Sequence, residues 1–65
     1  MDRDLIEGKW TEIKGQLREA YGELTDDDVE EAKGDREQIE GVLQQKLGKS
    51  KDDVRATVDR ILNSV

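Results

Sequence analysis

A chain of 65 residues is one domain that buries only about 60% of its unfolded surface, so its core is marginal. Without cysteine it has no disulfide staple, and without histidine it lacks the common ligands of zinc and haem, so no metal and no cofactor are expected. Charged residues make up 43% and the net charge is −6, a field that repels phosphate backbones and anionic membranes and argues against nucleic acid as a partner. Leu, Ile and Val total 15 of the 65 residues and phenylalanine is absent, which places the chain near the border between globular and disordered. The N-terminal MDRDLIEGK lacks the basic and apolar runs of a secretory leader, and no stretch approaches a membrane span. A cytoplasmic protein is expected.

Four helices are predicted, in chain order. The first covers about Asp4 to Tyr21, with Ile6, Trp10, Ile13, Leu17 and Tyr21 at spacings of three or four. Gly22 stands where a left-handed glycine closes a helix. The second opens at Thr25 as N-cap, with Asp28 as a short-armed partner in a capping box and Leu24 and Val29 as a hydrophobic staple. It carries Val29 and Ala32 inward and ends near Gly34, a helix junction. Asp35 caps the third, which presents Ile39, Val42, Leu43 and Leu47 before a closing Gly48. Ser50 caps the fourth, with Asp53 at its N3 position and Val54, Val58, Ile61, Leu62 and Val65 along one face.

Shifted against itself by 26 residues, the chain pairs Gly8 with Gly34, Ile13 with Ile39, Gly15 with Gly41 and Leu17 with Leu43. From Thr25 and Ser50 onward the offset is 25. This is a degenerate duplication, about 8–33 and 34–65 within one 1–65 domain, with one residue lost from the second loop. The expected fold is all-α, a small four-helix bundle of two packed helical hairpins.

All six glycines belong to the repeat, at heptad spacing within each half. A seven-residue step returns to within roughly 20° on a helix, so Gly8, Gly15 and Gly22 share a stripe away from Ile6, Ile13 and Leu17. Capping accounts for Gly22 and Gly48. Gly8, Gly15 and Gly41 admit three readings: surface glycines tolerated in weak helices, a groove without side chains where a partner approaches, or a close contact between hairpins. They are the candidate interaction surface.

The motifs GKW (Gly8–Trp10), KG (Lys14–Gly15), YGELTDDD (Tyr21–Asp28) and GVLQQKLGKSKDD (Gly41–Asp53) together resemble the CsbD-like family of bacterial general stress proteins over nearly the whole chain. The resemblance implies a small acidic protein induced in general stress, with two crossed helical hairpins. Many members carry an aromatic where Leu47 stands and a basic residue where Glu40 stands.

Catalytic chemistry is thin. Asp26, Asp27 and Asp28 lack the alternation, glycine and distal glutamate of a calcium loop, and acids in a first turn cap free N–H groups and complement the helix dipole. No nucleophile–base set and no phosphate loop exist, so no enzyme is expected. Trp10 and Tyr21, the only aromatics, read as core; a stacking platform is the alternative. Lys9, Lys14 and Arg18 lie close to glutamates, as on a solvated mixed-charge face. Two function classes follow. One is a hydrophilic stress protein acting through hydration or weak contacts, monomeric or weakly self-associating. The other is an adaptor that binds a protein partner through its hairpins. Binding of nucleic acid through a hairpin turn is disfavoured, because the acids of the turns repel phosphate; only Lys49 and Lys51 argue the other way.

Overall fold

Residues 2–33 and 35–65 are described in a computed structural model. Among them the chain forms five helices and no strand: α1 (Asp2–Gly8), α2 (Trp10–Ala20), α3 (Asp26–Glu30), α4 (Arg36–Leu47) and α5 (Lys51–Ser64). Gly34, read above as a helix junction, lies outside the described residues.

The expected first helix is two. Lys9, at φ −117° and ψ 23°, leaves the helical region between α1 and α2, although its N–H still donates to Leu5 O at 2.9 Å and its carbonyl accepts from Ile13 N–H at 2.9 Å. Gly8 just before it is a poor helix former, so the ladder is weakest there. The break lets α1 touch α4 and α5 while α2 packs on α5, and both Ile6 and Trp10 reach the core.

Gly22 does not take the left-handed conformation expected of it; among the described residues Gly48 alone has positive φ, at 66°. Helix α2 closes instead at Tyr21, whose extended backbone (φ −129°, ψ 91°) still lets its N–H donate to Leu17 O. The cause lies in the next residues. A turn from Tyr21 O to Leu24 N–H swings Leu24 inward, where it is 3% exposed. Its counterpart in the second half, Lys49, is exposed, so α4 runs on to Leu47 and stops at a left-handed glycine. Burial of Leu24 thus sets the exit of α2 apart from that of α4.

Capping defines the later helices. Thr25 and Asp28 exchange both bonds of the capping box, Asp28 N–H to Thr25 Oγ1 and Thr25 N–H to Asp28 Oδ2, each at 3.2 Å. Asp35 accepts from Glu37 N–H, and Ser50 accepts from Asp53 N–H. Helices α4 and α5 form an antiparallel pair, and α5 also packs on α2 and α1. The short α3 touches both α2 and α4, whose backbones stay apart among the described residues. The core gathers Trp10, Ile13, Leu17, Ile39, Leu43, Val54 and Val58, completed by Ile6, Leu24, Val29, Ala32, Ile61 and Leu62. Tyr21 and Leu47 sit at its edge, half-buried. No polar or charged described side chain is buried.

Candidate functional site

The three candidate glycines are exposed, and a Cβ built on Gly8, Gly15 or Gly41 meets nothing within 4 Å. No element of the described chain approaches them, which removes a close contact between hairpins as their reason. Nor are they gathered on one surface. Gly8 lines an open cleft at the α1–α2 break with Lys9, Trp10 and Lys33. Gly41 lines a second, between α4 and α5, with Gln44, Lys51 and Arg55. Gly15 lines neither.

Trp10 is 6% exposed, so its ring offers no platform for a base or peptide. Its indole N–H reaches the surface of the core and donates to Glu30 Oε1 at 3.0 Å. The other aromatic does the same: Tyr21 OH donates to Thr57 Oγ1 on α5 at 2.9 Å. Each aromatic buries its body and partners its polar tip, as a half-wet site requires.

The Trp10 bond opens onto the most organised polar feature of the molecule, a seam of ion pairs around α3. Glu30 Oε1 also accepts from Lys14 Nζ at 3.3 Å, and Arg18 Nη1 reaches Asp26 Oδ1 at 2.7 Å, both from α2. From the other side Lys46 of α4 lies 3.6 Å from Asp28 Oδ1 and 4.0 Å from Glu31 Oε2. Lys14 and Arg18 therefore do more than stand on a solvated face. They tie α2 to α3 across the molecule. Four of the acids between Asp26 and Glu31 are held from two flanks by three cations. The electrostatics agree with the geometry. The Thr25 backbone N–H above all holds Asp28 below its ordinary value; desolvation opposes it, and the Thr25 hydroxyl and the charge of Lys46 add to the lowering. The Trp10 indole N–H, then Lys14, hold Glu30 below its own.

A second cluster links α4 to α5. Arg36 Nε donates to Glu40 Oε2 at 2.8 Å and Arg36 Nη2 pairs with Asp59. The bond to Glu40 chiefly raises the Arg36 pKa, so this guanidinium stays charged. Only pairs such as Arg36–Glu40 and Arg3–Glu7 are visible as i,i+4 spacings. The pairs around α3 join residues 8 to 20 positions apart along the chain, and no local pattern announces them. Among the described residues no group of three or more His, Cys, Asp or Glu is placed to hold a metal ion, and no helix is long and apolar enough to cross a membrane.

Fold and seam define a small all-helical protein whose charged groups work at its surface. Over residues 4–56 the chain matches the CsbD-like family, and it belongs to that family. It is 38% identical over 65 residues to a UPF0337 protein of Bdellovibrio bacteriovorus, an alignment covering 100% of this chain and 70% of that protein. With a UPF0337 protein of Pseudomonas aeruginosa it shares 42% identity over 65 residues, covering 94% and 100%. With one of Protochlamydia amoebophila the identity is 50% over 52 residues, covering 80% and 79%. No solved structure matches the chain.

Proposed function

We propose that this chain is a non-catalytic bacterial stress-response protein of the cytoplasm, protective through hydration or weak contacts with macromolecules. One observation carries the reading: an entirely apolar core lies inside a shell on which the described charged side chains all stand at or near the surface. Such a shell holds water strongly and, at −6, keeps the chain soluble and away from polyanions. Membership of the CsbD-like family supports the link to general stress. In this reading the chain is a single unit, 1–65, built of two diverged halves of about 8–33 and 34–65, and it works as a monomer or a weak self-associate. The exposed Gly8, Gly15 and Gly41 then belong to soft, solvated helix faces.

A pull-down from stressed cells tests this. Recovery of many proteins in small amounts fits weak contacts, whereas one stoichiometric partner establishes the adaptor reading in its place.

A further inference from the structure

We infer that α3 is a displaceable strap over a docking groove, and that the groove takes an acidic amphipathic helix from a partner when the strap lifts. The inference gives one chemical form to the weak contacts proposed above and rests on that reading.

The topology supplies the groove. The backbones of α2 and α4 stay apart; α3 lies against both helices, and α5 packs on both as well. Lifting α3 leaves a channel between α2 and α4. Its floor, on this inference, is the apolar core that Ile13, Leu17, Ile39 and Leu43 share with Leu24, Val29 and Ala32. Its rims carry Lys14 and Arg18 on one side and Lys46 on the other. An apolar floor between basic rims fits an amphipathic helix with acids on both flanks. The chain's own α3 and its C-cap have that pattern, with Val29 buried and Asp26, Asp28, Glu30 and the capping Glu31 paired to the rims.

Strap behaviour follows from how little holds α3. A five-residue helix has no stability of its own. Its apolar anchorage is Leu24, Val29 and Ala32, modest beside the isoleucines and leucines of α4 and α5. The rest of its attachment is the Trp10–Glu30 hydrogen bond and a set of partly to fully exposed ion pairs, the pairs each worth a factor of about two to five and weakened by salt. The segment 24–33 is therefore a part of the core that opens at low cost.

The probe is a synthetic peptide with the sequence of residues 23–33, titrated into the full-length chain and followed by NMR shifts. Three chains are compared: the wild type; a loosened-strap variant, Asp26→Asn/Glu30→Gln/Glu31→Gln; and a control, Glu12→Gln/Glu19→Gln/Asp52→Asn, of equal net charge with the strap pairs intact. Gln at position 30 keeps an acceptor for Trp10, and the capping-box Asp28 is untouched. The loosened variant is expected to bind about tenfold more tightly than the control, as the loss of three strap pairs implies. The shifts should centre on Lys14, Arg18 and Lys46. Equal affinity in variant and control, or no binding to either, overturns the groove. Amide exchange on the wild type examines the strap without any substitution. Amides of 24–33 should exchange faster than those of α5, and increasingly so as salt rises. Exchange in step with α5 at every salt concentration overturns the strap. Either failure leaves the hydration reading standing, since the pull-down judges that separately.

Discussion

Trp10 concentrates more of the molecule's stability than any other side chain, because it is the largest apolar group in a core with no phenylalanine. Trp10→Ala should cost about 3–5 kcal/mol, comparable to the whole stability of so small a domain, and unfold it or nearly so. Native-state fluorescence already discriminates: a blue-shifted, quencher-protected emission is expected, and a fully exposed spectrum contradicts the burial. The glycines give a second residue-scale prediction. Gly15→Ala and Gly41→Ala put a methyl into open space on a helix and should each raise stability by about 0.5–1 kcal/mol. Gly48→Ala forces an L side chain into the left-handed region and should lower it by about 1–2 kcal/mol. Gly22, with ordinary backbone and space around it, should tolerate alanine, unlike its repeat partner. Urea midpoints of the four variants check all of this, and a drop at both Gly15 and Gly41 contradicts an open face.

At the scale of elements, α3 depends on its cap and its flanking charges. Thr25→Ala removes the side-chain half of the capping box and should cost about 1 kcal/mol, read as a lower urea midpoint. Acid acts on the same helix. Asp28 and Glu30 are held below their ordinary values of 3.8 and 4.5, so they bind fewer protons folded than unfolded. The stability they contribute is complete above those values and is lost as pH falls through the lower, folded ones. Melting temperature should therefore drop below about pH 4.5, and Glu30→Gln should drop less steeply than the wild type. Parallel acid slopes for the two proteins would remove Glu30 from the account. The contrast between the two loops lives at this scale too. The spacing of the residues treats Gly22 and Gly48 alike, whereas the folded chain does not. Gly22 is followed two residues on by Leu24, which has a core to enter, whereas Gly48 is followed by Lys49, which stays exposed.

Across the whole molecule, a net charge of −6 with Lys14, Arg18, Arg36 and Lys46 tied into pairs should make affinity for random duplex DNA negligible, weaker than roughly 10⁻⁴ M at physiological salt. Fluorescence anisotropy with a labelled duplex settles the point, and micromolar binding that weakens with salt overturns it. What the sequence by itself determined is the helical class, the caps at Thr25, Asp35 and Ser50, and the inward-facing apolar stripe. Those depend on periodicity and on atoms within three or four residues of one another. The division at Lys9, the exit of α2 through an extended Tyr21, and the clamping of α3 by Lys14, Arg18 and Lys46 were decided only by tertiary structure. Each turns on a residue distant in the chain. Ile6 and Trp10 share a core with α4 and α5, and the acids of α3 meet cations brought to them by two other helices. No spacing within a helix encodes where another helix will lie, because that position is set by how the apolar faces of all five bury one another at once.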